Sequence, residues 1–308
     1  MNRTNLKKHV QAWIVRLGSQ AKVAEKCNIS DTALSQYLNG KYGANTDELD
    51  RKIASALSYR ETDWQTVEGI SNFQTIKYVF DSCKDASMWM AVSNRAGSGK
   101  TRTLEYLFNQ DVSGSVFLIQ AEEWNARQFL VKLAEKTCGV PTKGYVSIGM
   151  LLDKISDFFN GMQFDRPLLV IDEADKLKPA ALRQLIPLYN RTQERLGCLL
   201  AGTENLKKEI RSGVRCNRKG YDEIDSRLGR TYVELKGANK SDVKLICTAN
   251  GLDEMQAVRI WNEIEKVKRP AKVRTASGLI DKMVEYTDDL RRLNRLVMRE
   301  KIANRLNA

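Results

Sequence analysis

The chain has 308 residues, 42% of them hydrophobic, and its 50 Lys plus Arg against 38 Asp plus Glu leave a net charge of +12. That length and apolar content support a sizeable core in two or three domains and exclude a disordered or fibrous chain. No apolar run approaches a membrane span or a signal-peptide core, and the only histidine, His9, lies near a terminus expected to fray, which excludes triads and imidazole-ligated metal centres.

Six cysteines occur without a Cys-x-x-Cys pair, so they are expected to be buried small hydrophobes in a cytoplasmic protein. The cations cluster. Lys207, Lys208, Arg211, Arg215, Arg218 and Lys219 form one group and Arg291, Arg292, Arg295, Arg299, Lys301 and Arg305 another, which points to a polyanionic partner, nucleic acid first.

In chain order, helical patterns are expected at Leu6 to Leu17 and Thr46 to Leu57, on either side of a stretch from Ser19 to Gly40 that looks like a helix-turn-helix. Val23, Ala24, Ile29, Leu34 and Leu38 supply its apolar positions, Asn28 permits the turn, Ser30 or Asp31 caps the second helix and Gly40 ends it. The second helix is expected to present Thr32, Ser35, Gln36 and Lys41 to DNA; a helical module that packs on a partner protein is the alternative. This domain is placed at 1–60 and a linker at 61–72.

A helix from Phe73 to Cys83 leads to a strand at Met88 to Val92, and then to Asn94-Arg95-Ala96-Gly97-Ser98-Gly99-Lys100-Thr101, followed by Arg102 in a helix from Lys100 to Asn109. A strand, a small-residue loop and a helix in that order form a phosphate loop: backbone N–H groups turn inward, the helix adds its positive end, and Lys100 neutralises β/γ charge. Thr101 is suited to Mg²⁺. Asn94 stands where the pattern has glycine, and asparagine is the substitute that best tolerates a left-handed backbone.

Leu168 to Ile171 reads as a buried parallel strand that ends in Asp172 and Glu173. Asp172 suits Mg²⁺ held through water, and Glu173 suits a general base for hydrolysis. Further strands at Val116 to Gln120, Cys198 to Ala201 and Thr231 to Leu235, with helices at Asn125 to Cys138 and Pro179 to Arg195, give an α/β parallel sheet with helices on both faces over 73–236. Beyond Gly237 strand signals stop. Helices are expected at Lys240 to Ala249, Asp253 to Lys266, Ser277 to Tyr286 and Asp288 to Asn307, a helical lid over 237–308.

At this point the chain resembles the AAA+ ATPases. Leu199-Leu200-Ala201-Gly202-Thr203-Glu204-Asn205 is similar to the family's sensor 1 strand, with Thr203 the better candidate and Asn205 next. Asp225-Ser226-Arg227-Leu228-Gly229-Arg230 resembles the segment that gives an arginine finger to a neighbouring subunit, Arg227 first and Arg230 in reserve. Asp289-Leu290-Arg291-Arg292-Leu293 resembles sensor 2, which places Arg291 near the nucleotide; Asp288-Asp289 before it departs from the pattern.

Within those ATPases, the combination of amino-terminal helices, compact core and short basic lid resembles the transposition B proteins of Mu-type phages, as do Phe73-Gln74-Thr75-Ile76-Lys77 and Ile171-Asp172-Glu173-Ala174-Asp175. The resemblance implies an ATP- and Mg²⁺-dependent ATPase that binds duplex DNA with little sequence preference, polymerises on it as a homo-oligomeric filament, selects a target and activates a transposase. By position in the family, Thr142 and Lys143 in the loop Pro141 to Tyr145 are candidate DNA contacts. Two other functions stay open: a nucleotide-controlled transcription regulator that reads an operator, and a helicase loader.

Overall fold

The computed structural model describes residues 3–43, 45–57, 59, 64–139, 146–275 and 278–306. They fall into two compact units, one of 1–64 with 107–116, the other of 65–106 with 117–308. Among them no helix is long and apolar enough to cross a membrane.

The amino-terminal residues form four helices, α1 (Arg3–Leu17), α2 (Gln20–Lys26), α3 (Asp31–Leu38) and α4 (Thr46–Ala56). Between α2 and α3 the chain reverses at Asn28, whose φ of 52° is the left-handed conformation asparagine tolerates. Ser30, rather than Asp31, caps α3 by accepting from the Ala33 N–H, and Gly40 leaves the helix at φ 71°. Leu6, Val10, Val23, Ala24, Leu34, Leu49 and Ile53 build the core, whereas Ile29 and Leu38 are only half-buried and Tyr37 takes the interior place instead. A phenol buried there needs a partner, and its hydroxyl donates to buried Asp50 at 2.6 Å. Arg3 closes the group, donating to the same carboxylate at 2.7 Å. His9 lies within α1, where its ring packs with those of Trp13 and Tyr59.

From residue 65 onward the chain forms α5 (Ser71–Ala86), which starts inside the expected linker, and then β1 (Trp89–Ser93), α6 (Lys100–Gln110), β2 (Val116–Gln120), α7 (Ala126–Lys136), α8 (Ile148–Gly161) and β3 (Leu168–Asp172). After a 3-10 turn at Ala174–Lys176 come α9 (Pro179–Leu182), α10 (Leu185–Thr192), β4 (Gly197–Gly202), α11 (Glu204–Arg215), α12 (Tyr221–Arg227) and β5 (Tyr232–Val233). The helix expected from Pro179 to Arg195 is therefore two, with Arg183 and Gln184 at the junction. The strand order is β2-β3-β4-β1-β5; β1 runs parallel to β4 and β5, and β3 to β4.

All residues of β3 and β4 are buried, which is why both read as unbroken apolar runs. Their register sets Ser93 opposite Gly202 and Ile171 opposite Leu200. Three chain segments thus leave the sheet at one carboxyl edge, the edge where parallel sheets place ligands.

The lid consists of α13 (Lys240–Ala249), α14 (Glu254–Glu263), β6 (Val267–Thr275), β7 (Gly278–Tyr286) and α15 (Leu290–Leu306). It is not wholly helical: the helix expected from Ser277 to Tyr286 is a strand, paired antiparallel with β6. Ile280, Met283 and Val284 fit a helical spacing, but the β-branched and alternating pattern of Val267 to Thr275 supplies a partner, and pairing overrides the local period. Of the cysteines, Cys27, Cys83, Cys198 and Cys247 are buried, Cys138 is partly exposed and Cys216 is exposed.

Candidate nucleotide site

The phosphate loop runs from β1 into α6, with Gly97 and Gly99 at φ 86° and 92°. Those two positions need glycine for their backbone alone. Asn94 does not adopt the left-handed backbone allowed for above; its amide donates to the Leu235 carbonyl at 3.2 Å and its N–H to that of Gly202 at 3.2 Å, tying the loop to neighbouring segments. Among the described residues no backbone–backbone hydrogen bond engages the N–H groups of Arg95 to Gly99. They remain for an anion.

Lys100, 8% exposed, points its ammonium into the loop, donating to the carbonyls of Asn94 and Arg95 at 2.8 and 3.1 Å and to Ser98 Oγ at 3.1 Å. Burial lowers its pKa, and the charges of Asp172, Asp175 and Glu173 oppose that shift. A desolvated cation held by carbonyl dipoles is poised to exchange them for phosphate oxygens. Asp172, 3% exposed, has its pKa raised by burial, against which the Thr101 hydroxyl and the Glu173 N–H stabilise the carboxylate.

Glu173 takes φ 54°, a strained backbone for a glutamate, and its carboxylate pairs with Lys176. Thr203, at the end of β4, donates its hydroxyl to Asp175 Oδ2 at 2.7 Å and its N–H to Oδ1 at 2.9 Å, while its oxygen accepts from the Asn205 N–H. The sequence assigns no role to Asp175, yet it fixes the rotamer of Thr203. Asn205 itself is exposed. Gly202 is required here because a Cβ would stand 2.7 Å from Asp175 Oδ1 and 2.9 Å from Leu206 Cβ.

A second residue without a sequence signal of its own is Asn72, 3% exposed on α5. It donates to the Ser98 carbonyl at 3.1 Å and accepts from the Gly237 N–H at 3.0 Å. One amide thereby joins the phosphate loop to the start of the lid. The lid returns to the loop at α15, where the Leu290 N–H donates to the Gly97 carbonyl at 2.9 Å. Arg291 is exposed there, its Cβ 3.8 Å from where a Cβ on Gly97 would stand.

The remaining candidates are dispersed. Arg227, with its side chain 18% exposed, is folded against its own chain: it donates to Asn190 Oδ1 at 2.7 Å and the Glu223 carbonyl at 3.0 Å and stacks 5.2 Å from the Tyr189 ring centroid. Arg230 is half exposed and pairs with Asp222 at 2.8 Å. Arg102 projects from α6, 3.9 Å from Glu105. Thr32, Gln36 and Lys41 are exposed in the amino-terminal unit, but Ser35 is half-buried, not outward as expected. Thr142 and Lys143 lie outside the described residues.

Residues 85–210 match the model of the AAA domain family, a span that runs from the end of α5 through the phosphate loop, Asp172, Glu173 and Thr203 into α11. That segment resembles an AAA domain. The chain is 21% identical over 256 residues to the Mu-like prophage FluMu DNA transposition protein B of Haemophilus influenzae (strain ATCC 51907 / DSM 11121 / KW20 / Rd), across 80% of this chain and 85% of that one. Its similarity to the crystal structure of Cdc6p from Pyrobaculum aerophilum is weaker, with 16% identity, a TM-score of 0.41 and 58% of this chain matched; the chain spans about half the length of that structure. The chain thus resembles AAA proteins over that segment and a phage-type transposition protein B over most of its length.

Proposed function

We propose that this chain is an ATP-hydrolysing, duplex-DNA-binding AAA ATPase that assembles as a helical filament on target DNA with little sequence preference, selects an insertion site and activates a transposase. The likeness to a transposition protein B along 80% of the chain carries this reading, because it spans far more than the AAA domain. The domains are read as 1–60, 73–236 and 237–308, with a linker at 61–72, in a protein that works in the cytoplasm on DNA.

The residues at the sheet edge fit ATP and Mg²⁺. The free N–H groups of Arg95 to Gly99 and the Lys100 ammonium offer an anion cradle, and Thr101 beside Asp172 offers hard oxygen donors. Mg²⁺, held by Thr101 and by Asp172 through water, would neutralise charge developing on the phosphates. Glu173, once released from Lys176, accepts a proton from the attacking water, and Thr203 orients that water. Arg291 completes the nucleotide's surroundings from the lid.

Arg227 is the proposed finger for a neighbouring subunit and must first leave Asn190 and Tyr189; Arg230, the reserve, must leave Asp222 and buried Asp225. A finger in trans links hydrolysis to assembly, so the isolated chain turns over slowly. Thr32, Gln36 and Lys41 of the amino-terminal unit, and Thr142 and Lys143 of the core, are the proposed DNA contacts.

Electron microscopy with random-sequence linear duplex tests the reading, comparing ATP, ADP and no nucleotide at one salt concentration. Filaments confined to ATP are expected; bare DNA in every condition would remove the filament and target-selection role. The exposure of Thr32 and Gln36 on a capped helix behind a tight turn, and of Lys41 just past its end, also fits a regulator that reads an operator, which would bind one sequence about 10³-fold or more above random DNA.

A further inference from the structure

Asp288 and Asp289, which depart from the sensor 2 pattern, join three segments around the phosphate loop. Asp289 caps α15, accepting from the Arg292 N–H at 2.8 Å, and its Oδ1 stands 2.8 Å from where a Cβ on Gly97 would be. Asp288, with a side chain only 10% exposed, receives both terminal nitrogens of Arg269 at 2.6 and 2.7 Å. Arg269 lies on β6 and also donates to the Lys236 carbonyl at 2.7 Å. Arg95 of the phosphate loop approaches the other side of Asp288 at 3.8 Å.

The backbone around this pair has no slack. Ala238 and Thr287 exchange N–H···O bonds at 2.9 and 2.8 Å, and a Cβ on Gly237 would meet the Thr287 carbonyl at 2.6 Å and Asp288 Oδ1 at 2.8 Å. Asp288 is therefore held from the hairpin, and two residues later Leu290 donates to Gly97. The turn that delivers Arg291 is braced at one end by an ion pair and at the other by the phosphate loop. A bidentate carboxylate–guanidinium pair fixes direction as well as distance, which a lysine at that position could not do equally well.

We propose that Arg269 and Asp288 are positioning residues for nucleotide binding, holding the Asp289–Arg291 turn so that Arg291 reaches the nucleotide at the phosphate loop. The inference rests on the assignment of that loop as the ATP site. Its signature is non-additivity: if Arg269 acts through Arg291, removing it costs nothing once Arg291 is gone.

The test measures the dissociation constant of a fluorescent ATP analogue, with Mg²⁺, for the full-length chain and for Arg269→Met, Arg269→Lys, Arg291→Ala, Arg269→Met/Arg291→Ala and Lys100→Ala. Arg269→Met should weaken binding ~10-fold and Arg269→Lys less, because misdirecting a contact group costs such factors. The double variant should bind as Arg291→Ala does. Multiplied effects in the double variant, or Arg269→Met at wild-type affinity, would overturn the positioning role while loss of binding in Lys100→Ala left the ATP site standing. Undiminished binding in Lys100→Ala would instead overturn the site assignment, and this inference with it. Should Arg269→Met fail to fold by circular dichroism, the exchange Arg269→Asp/Asp288→Arg replaces it: restored affinity supports the pair, and unrestored affinity in a folded protein rejects it.

Discussion

Glu173, the proposed general base, combines a strained backbone with a carboxylate paired to a neighbouring lysine. Glu173→Gln removes proton acceptance while sparing the phosphate loop, so ATP should still bind and turnover should fall about 10²-fold or more; steady-state ATPase assays beside nucleotide titration measure both. Asp175 acts one step away. Asp175→Asn keeps the shape but weakens its hold on the Thr203 hydroxyl and N–H, and kcat should drop ~10-fold with ATP affinity nearly unchanged. Equal losses in kcat and affinity would show that Asp175 merely supports the fold. Lys100, Thr101, Asp172 and Glu173 could be proposed from the sequence because chemistry restricts residue types at fixed spacing, whereas Asp175 and Asn72 act through distant partners that no spacing reveals.

At the scale of elements, β4 passes so close to α5 that a Cβ on Gly197 would stand 2.0 Å from the Cys83 carbonyl oxygen. Neither backbone can yield without breaking the β1–β4 register. Gly197→Ala should therefore cost at least the ~1–3 kcal/mol of an overpacked core, read as a lowered Tm. The docking of α15 on α14 has a pH signature. Arg299 lowers the pKa of Glu263 from its ordinary 4.5, chiefly through its hydrogen bond and despite some desolvation.

A carboxylate whose folded pKa is depressed contributes stability that is full above pH 4.5 and lost as the pH falls through the lowered value, since the unfolded chain binds the proton first. Glu263→Gln should consequently lose stability at neutral pH and show a shallower acid limb in denaturation curves. An acid limb parallel to that of the parent would deny the pair any such role. Strands β3 and β4 were readable because burial on both faces makes them continuous apolar runs. The hairpin β6–β7 was missed on both strands, β7 because Ile280, Met283 and Val284 satisfy a helical period until a partner strand competes for their backbone.

For the whole molecule, charge density along the chain overstated the free positive surface. Lys207, Lys208, Arg211 and Arg218 pair with Glu234, Glu204, Asp225 and Glu209, and Arg292 and Arg299 share Glu263. Both expected cation clusters are thus partly neutralised within the fold. The net charge of +12 still favours a polyanion, and DNA binding by backbone contacts should weaken linearly in log affinity against log salt, with a slope of about −0.9 per phosphate neutralised. Anisotropy titrations on random duplex across a salt series measure it, and a slope near zero would deny that phosphates carry the interaction.

The sequence alone determined the alternating strands and helices, the phosphate loop and the acidic strand end, because each is a local pattern enforced by backbone sterics, burial or the chemistry of a triphosphate. Tertiary structure alone decided that Asp175 holds Thr203, that Asn72 joins loop to lid, that Arg227 rests on Tyr189 and that Arg269 braces Asp288. These contacts link residues 19 to 38 positions apart, or 165 in the case of Asn72 and Gly237. A side chain's partner across such distances is set by how the sheet edge and lid close on each other, and that closure is a property of the packed chain.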